Sequence, residues 1–461
     1  MFKKKNLNSE KANSDNSLTI PRKENIMTIN LKLTPQRNAL LKGFDNEFYA
    51  LLQLIDNNEN QENSAKKNLN LSIVLDKSAS MSGQPFEEAK KAASMIIEKL
   101  RASDSISVVA YDDNVDLIIP SIECVDKTNV IRAVNSIQVG GATNLHGGWL
   151  MGAEQVALKK SNKSINRVLL LSDGNADIGL MSPIDISRQC SQLSETGITT
   201  STYGLGHNFN EDLMVKIANS GLGHSYYGQT SQDLMDPFNE EFQTLINTVA
   251  TEIKVKEEFP DYINVQLMNN YQRTDDVFRL PDLAEGGEGW ALFKININQS
   301  NISDQKIEVL RCNISYRDTE GNIKNKGPVK IILEPVNANA FGMVAEDEKV
   351  RLRISEILVA KIQERARVAA QQGDWNTVTH LLDEAKKEAN GNEWLNSVIN
   401  SIEVYAKNKQ QQQFTKEAMY SSEKMQKRMV SNDELNMSYN YDVENEKASY
   451  LRRKIERGKR F

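Results

Sequence analysis

From Met27 onward, polar Thr28, Asn30, Lys32 and Thr34 alternate with apolar Ile29, Leu31 and Leu33, a period of two that predicts a half-buried strand. A second strand, EFYALLQLID at 47–56, follows a turn around Gly43, so the pair reads as a hairpin. A polar spacer, NNENQENSAKK, then leads into a different rhythm. Between 70 and 249, apolar strands (LSIVLD 71–76, SISVVAYD 105–112, RVLLLSD 167–173, ITTSTYGLG 198–206) alternate with helical stretches at 84–101, 127–138, 147–160, 184–196, 210–220 and 231–249. That alternation predicts βαβ units and a mainly parallel sheet with helices on both faces. VDLIIPS at 115–121 follows strand 105–112 too closely for a crossover and reads as an antiparallel edge strand after a turn at Asp113-Asn114.

Past Val249 the period returns to two. EIKVKEE 252–258, INVQLMN 263–269, WALFKINI 290–297, KIEVLRCNISYRD 306–318 and PVKIILEPV 328–336 alternate between Gly and Asn turns, the pattern of an antiparallel sheet or sandwich. Strands of this type occur before and after the α/β stretch, which predicts an α/β unit inserted in a β-sandwich. From Glu346 the spacing is helical: Leu352, Ile354, Ile357, Leu358 and Ile362 lie on one helix that stops at Gly373. A second helix starts at the capping residue Asp374, and a third runs from Glu393 to about Lys409.

The expected organisation is therefore a disordered polar segment over 1–26, first sandwich strands over 27–60, the α/β unit over 70–249, the rest of the sandwich over 250–340, a helical region over 345–409, and a polar, partly disordered or weakly helical tail over 410–461. The fold class is α/β: a Rossmann-like, doubly wound, mainly parallel sheet inserted in an antiparallel sandwich and followed by an α-helical C-terminal region. A chain of 461 residues is long enough for two or three such units.

Composition narrows the partners. A formal net charge of -6 provides no general attraction for nucleic acid or anionic lipid. The basic RRKIERGKR near the C-terminus lacks interleaved aromatic platforms and reads as a solvated tail, so no nucleic-acid partner is expected. Cys124, Cys190 and Cys312 are far apart and odd in number, which argues for small buried hydrophobes over a disulfide framework or a metal cluster. No apolar segment follows the basic start, and none has the length of a membrane span, so the expected location is the cytoplasm.

Binding sites of open parallel sheets form beyond the carboxyl ends of their strands. Three segments put oxygen atoms there: Asp76, Ser78 and Ser80 after the first strand, Thr143 and Asn144 in GGATNLHGG before a helix, and Asp173 at the end of VLLLSDG. One D-x-S-x-S string alone is commonplace in polar loops. Three such tips in matching order are a far more specific signal. An all-oxygen donor set suits a hard divalent cation, Mg²⁺ above all.

Other chemistry finds less support. His146 and His207 stand near site-side loops without a second His or Cys at ligand spacing, and His224 and His380 have no visible partner. GLGHNFNEDL and GGEGW are not phosphate cradles, and no Ser-His-Asp order with an elbow motif occurs. Trp375 and Trp394 read as core anchors of the helical region.

Asp76-Lys77-Ser78-Ala79-Ser80, then Thr143, then Asp173 resembles the von Willebrand factor A domain, whose metal-ion-dependent adhesion site is D-x-S-x-S, a Thr and an Asp. The likeness extends over 70–249 through SVVAYDD, GGATNLHGGW, NRVLLLSDGNADIG and TTSTYGLG, and is narrowest to bacterial, cytoplasmic-type members. The resemblance implies Mg²⁺, with Mn²⁺ or Ca²⁺ as other occupants. It implies Ser78, Ser80 and Thr143 as direct ligands, and Asp76 and Asp173 as holders of metal-bound water. A partner's Asp or Glu would complete the shell, and Gly140, Gly141, Gly147 and Gly148 would let the loop approach and rearrange, coupling binding to movement of helix 231–249. The expected function is a non-enzymatic, Mg²⁺-dependent protein-interaction scaffold. Two other implied roles are an accessory subunit of a MoxR- or chelatase-type ATPase machine and an adaptor of a kinase-phosphatase signalling set; surface adhesion is a further and less favoured one.

Overall fold

The computed structural model describes residues 29–56, 67–205, 210–228, 239, 241–427 and 430–431. The expected hairpin is present: β1 (Ile29–Pro35) pairs antiparallel with β3 (Asn46–Asp56), Leu33 opposite Leu52, with a two-residue β2 (Leu40–Leu41) between them. The segment expected to be disordered at 1–26 lies outside the described residues.

The inserted α/β unit is a six-stranded sheet made of β4 (Asn68–Asp76), β5 (Ser105–Tyr111), β6 (Val115–Glu123), β7 (Ser164–Ser172), β8 (Ile198–Leu205) and β9 (Leu222–Gly228). Its order is β6-β5-β4-β7-β8-β9, parallel throughout except for β6, the antiparallel edge strand. Alternation along β4 assigns its two faces. Leu71, Ile73 and Leu75 pack under α1 (Gln84–Lys99) and α2 (Lys127–Asn135), while Val74 packs under α3 (Leu145–Leu158), α4 (Pro183–Glu195) and α5 (Glu211–Ser220). With both faces covered, β4 is buried along its whole length but for Asn68, its polar Asn70, Ser72 and Asp76 included.

β9 is absent from the sequence reading. Its segment LGHSYYG is only half-buried and forms the sheet's other edge, so it lacks the continuous apolar signature of the central strands. The helix expected over 231–249 falls partly outside the described residues. Its described end departs from expectation: backbone is helical at 241–246, and strand begins at Thr248. Val249 and Ala250 belong to the sandwich core, and burial there draws the chain into extended form.

The sandwich has two antiparallel sheets. One runs β1-β3-β15-β11, with β11 at Ile263–Leu267, β15 at Gly287–Ile297, and a short β19 (Val430–Ser431) pairing on β15. The other runs β12 (Arg273–Thr274), β13 (Val277–Arg279), β10 (Thr248–Glu258), β16 (Ile307–Arg317), β17 (Ile323–Leu333), with a short β14 (Leu283–Ala284) pairing on β10, and a two-residue β18 (Pro335–Val336) pairs parallel with β2. Ala50, Leu52 and Leu54 of β3 share one core with Val255 and Ile314 of the second sheet. Leu51 points to the opposite side of β3, where it packs with Trp290 and with Val350 and Ile357 of a long helix. That double burial is why EFYALLQLID carries no polar stripe.

The C-terminal region consists of α6 (Ala338–Met343), α7 (Glu348–Gln371), α8 (Trp375–Glu388), α9 (Glu393–Lys407) and α10 (Gln411–Lys427). The caps at Asp374 and the break at Gly373 are as expected: Asp374 Oδ1 accepts from the Thr377 amide at 3.1 Å, and Gly373 has φ +75°. Trp375 and Trp394 pack against the helical core. The three cysteines are free and buried.

α10 corrects the expectation of a polar, weakly helical tail over its length. Phe414, Ala418 and Met425 enter the helical core, and the flanking polar side chains are used as well. Asn219 of α5 donates to Glu423 Oε2 at 3.1 Å, and Tyr420 stacks on Tyr227 of β9. On its sandwich side, Asn269 donates to the Gln426 carbonyl at 2.8 Å. A helix that satisfies neighbours on three sides needs few apolar residues, so its low hydropathy misled the reading of composition.

Candidate metal site

The sheet order creates the site. From β4 the chain crosses through α1 to β5 on one side, while β7, on the other side of β4, is reached through α3 on the opposite face. The crevice between these crossovers opens beyond the carboxyl ends of β4 and β7. Asp76 is the last residue of β4, and Asp173 follows the last residue of its neighbour β7.

Asp76 is fully buried and held from three directions. Its Oδ1 accepts from the Ser78 amide at 2.9 Å; its Oδ2 accepts from the Ser172 hydroxyl at 2.6 Å and from the Tyr111 hydroxyl at 3.2 Å. The amide bond turns the loop sharply after β4, so that the Ser78 and Ser80 hydroxyls converge to 3.0 Å. A 3-10 turn at Ala79–Met81, anchored by buried Met81, fixes that curl. Burial pushes the Asp76 carboxyl up to about 6, and the nearby Asp173 charge adds to the shift against the hydroxyl and amide donors. Two carboxylates and a cluster of hydroxyl oxygens facing one crevice are the environment that a cation stabilises.

Thr143 is buried in the second loop. Its carbonyl accepts from the Asp177 amide at 3.0 Å and the Ile178 amide at 3.3 Å, which joins it to the loop leaving Asp173. Two bonds join it to the first loop: Gly140 donates its amide to the Lys77 carbonyl at 2.7 Å, and Ala79 donates to the Gly141 carbonyl at 2.9 Å. Asn144 caps α3 by accepting from the Gly147 amide at 3.1 Å. Asp173 accepts from the Asn175 amide at 3.1 Å and, through its carbonyl, from the Asn210 amide at 2.8 Å at the start of α5. All five expected residues thus belong to three loops stitched together by backbone bonds, with Ser78 and Ser80 in direct side-chain contact.

Two glycines are required by crowding. A Cβ on Gly148 would lie 2.3 Å from the Tyr111 ring, and one on Gly140 would lie 1.7 Å from Asp112 Oδ2. The expected freedom of this loop to rearrange therefore gives way, at these two positions, to close packing. His146 shares a 2.8 Å hydrogen bond with Gln189. His207 lies outside the described residues.

Sequence reasoning passed over four contributors: Tyr111, Ser172, Lys77 and Asp112. Tyr111 and Ser172 end the strands on either side of β4, so their position beside Asp76 follows once the strand order is known. Asp112 follows β5 and is held by burial, which raises its carboxyl, and by Lys77 and the Asn114 and Gly141 amides, which together bring it below the usual carboxylate value.

Residues 70–240 match the model of the von Willebrand factor type A domain, and this segment of the chain is such a domain. Domains of this kind are commonly protein-interaction modules and commonly bind a divalent metal. Bacterial and archaeal proteins are among its relatives and structural neighbours. YfbK of Escherichia coli K12 is 28% identical over 249 residues, 52% of this chain and 43% of that protein, so the chain covers less than half of its relative's length. A von Willebrand factor type A protein from Catenulispora acidiphila superimposes over 82% of this chain and 91% of its own, with a TM-score of 0.66 at 18% identity. The ArnB paralog VWA2 of Sulfolobus acidocaldarius does so over 87% and 98%, with a TM-score of 0.60 at 16% identity. These two share the fold beyond the inserted domain. No helix among the described residues is long and apolar enough to cross a membrane.

Proposed function

We propose that the chain is a non-enzymatic, cytoplasmic protein-binding scaffold that captures a partner's Asp or Glu side chain through a divalent cation, Mg²⁺ by preference. The observation that carries this reading is the 3.0 Å approach of the Ser78 and Ser80 hydroxyls above a buried Asp76. Ser78, Ser80 and Thr143 would hold the ion directly, and Asp76 and Asp173 through water. The donor chemistry fits, since every group offered is an oxygen and three of the five are neutral. When bound, such an ion supplies an electrophilic position for an incoming carboxylate.

The chain's own residues do the rest. Ser172 and Tyr111 orient Asp76, and the Ser78 amide fixes which Asp76 oxygen turns toward the loop. Binding rather than catalysis is favoured because the hydroxyls here are engaged with each other and with a carboxylate. His146, in the first turn of α3 beside the site, is occupied by Gln189. The test is affinity capture from lysate with and without Mg²⁺, comparing wild type with Asp76→Ala. A protein retained only by wild type with Mg²⁺ supports the reading, whereas identical captures under all conditions refute it.

A further inference from the structure

We propose that Lys77 and Asp112 are positioning residues that clamp the two ligand-bearing loops together before a cation arrives. The inference rests on the metal-site reading and adds to it a source of preorganisation within the chain.

Lys77 stands between Asp76 and Ser78, in a loop built of hydroxyls and carboxylates, yet its ammonium turns away to form an ion pair with Asp112 and a longer one to Asp116 at 3.4 Å. Both members of the main pair are buried, Lys77 at 9% exposure and Asp112 at 4%. A buried ion pair gains little net stability, because removing two charges from water offsets most of their attraction. Its presence here is better accounted for by the geometry it imposes.

That geometry centres on Asp112. Its Oδ2 accepts from Lys77 in the first loop and from the Gly141 amide, at 3.2 Å, in the second. Its Oδ1 accepts from the Asn114 amide at 2.8 Å, which fixes the side chain, and its carbonyl accepts from Asn144, the residue after Thr143, at 2.8 Å. One residue outside the ligand set therefore holds the loop of Ser78 and Ser80 and the loop of Thr143 from the side away from the sheet centre. Gly140 supplies a second line of support. The volume its Cβ would need is filled by the Asp112 carboxylate at 1.7 Å and the Lys77 nitrogen at 3.3 Å, so the second loop is shaped around the pair.

A clamp is needed because the site is electrostatically unfavourable without a cation. Asp76 and Asp173 are close enough to repel, and the Lys77–Asp112 pair adds a side-chain tie to the two backbone bonds that already join the loops. Ligands that must be gathered at the moment of binding lower affinity by the free energy of gathering them.

The experiment measures Mn²⁺ affinity of the full chain by the electron paramagnetic resonance signal of free Mn²⁺, together with metal-free urea unfolding. Wild type, Thr143→Ala, Asp112→Asn, Lys77→Met and Lys77→Arg are compared. The clamp predicts that Asp112→Asn and Lys77→Met weaken Mn²⁺ binding of the folded chain at least tenfold, that both lower the metal-free midpoint because each leaves a buried partner unpaired, and that Lys77→Arg recovers most of the affinity. Wild-type affinity in Lys77→Met and Asp112→Asn, alongside loss in Thr143→Ala, overturns the clamp and leaves the metal reading standing. A midpoint shift without an affinity change also overturns it, by assigning the pair a structural role alone. Absence of Mn²⁺ binding by wild type overturns the metal reading itself, and the clamp with it. If Asp112→Asn fails to fold, the Lys77→Met and Lys77→Arg pair decides.

Discussion

The Ser172 hydroxyl donates to Asp76 Oδ2 over 2.6 Å, crossing from the end of β7 to the end of β4. The same hydroxyl accepts from the Gly174 amide at 2.8 Å, so one buried atom both orients the carboxylate and closes the turn that follows Asp173. Ser172→Ala removes both bonds and leaves a buried amide and a carboxylate oxygen short of partners. The expected cost is about 2 kcal/mol, within the usual range for orphaning buried polar groups. Metal-free urea unfolding reads it, and a loss below about 0.5 kcal/mol would contradict the assigned role.

Addition of Mg²⁺ should raise the thermal midpoint. A ligand that binds only the folded state stabilises it by about 2.7 kcal/mol when present at a hundred times its dissociation constant. Thr143→Ala should abolish that increment while leaving the metal-free midpoint near that of wild type, because a buried hydroxyl is removed without opening a large cavity. A Mg²⁺-induced shift that survives in Thr143→Ala would place the ion elsewhere.

That the candidate residues would gather on adjoining loops was legible in the sequence because much of the pattern is local. Asp76, Ser78 and Ser80 lie within five consecutive positions, and Asp173 directly follows an apolar strand. What surrounds them was not legible, because it depends on strand order. Tyr111 and Ser172 meet at Asp76 only because β5 and β7 both flank β4. β9 escaped notice because an edge strand buries too little to show an apolar run, and its tyrosines find partners that are distant in sequence.

Gly148→Ala tests the packing behind Asp76. In an ordinary helix interior the change would be favourable by up to ~1 kcal/mol. Here the added methyl would lie 2.3 Å from the ring of Tyr111, which donates to Asp76. Overpacking of a buried site costs about 1–3 kcal/mol, enough to reverse the sign. Destabilisation in chemical unfolding, accompanied by weaker Mg²⁺ protection, is the expected result; stabilisation would show that Tyr111 is free to move.

Acid should weaken the join between the α/β unit and the sandwich. Arg167 of β7 bonds Glu241 at 2.5 Å and Asp282 at 3.1 Å, and these two carboxyls move in opposite directions. For Asp282 burial outweighs Arg167 and raises it; for Glu241 burial is overcome by Arg167, with help from His224, Tyr226 and Ser201, and the carboxyl falls below its usual 4.5. A depressed folded value means that Glu241 contributes stability above the unfolded pKa and loses it as pH falls through the lower folded one. The Glu241 contribution should therefore drop as pH falls below ~4.5, opposed by Asp282, whose raised carboxyl favours the fold as it protonates, and Glu241→Gln should remove the Glu241 part in a pH series of urea midpoints. At neutral pH Arg167→Met should cost about 3–5 kcal/mol, since it leaves buried carboxylate unpaired.

The last helix among the described residues, α10, is a packed element and not a solvated one. Phe414 of α10 is fully buried and meets the Trp375 ring edge-on, with centroids 6.1 Å apart. Truncating a buried Phe costs about 3–5 kcal/mol, whereas the same change in a solvated tail falls within about 0.5 kcal/mol. Because Tyr420 stacks on Tyr227 and Asn269 bonds the carbonyl of Gln426, detachment of α10 would expose surface on both the α/β unit and the sandwich. Phe414→Ala should accordingly speed proteolytic cleavage within 411–427 and shift the urea midpoint of the whole chain. Cleavage at the wild-type rate would mean that the helix contributes its contacts without depending on this anchor.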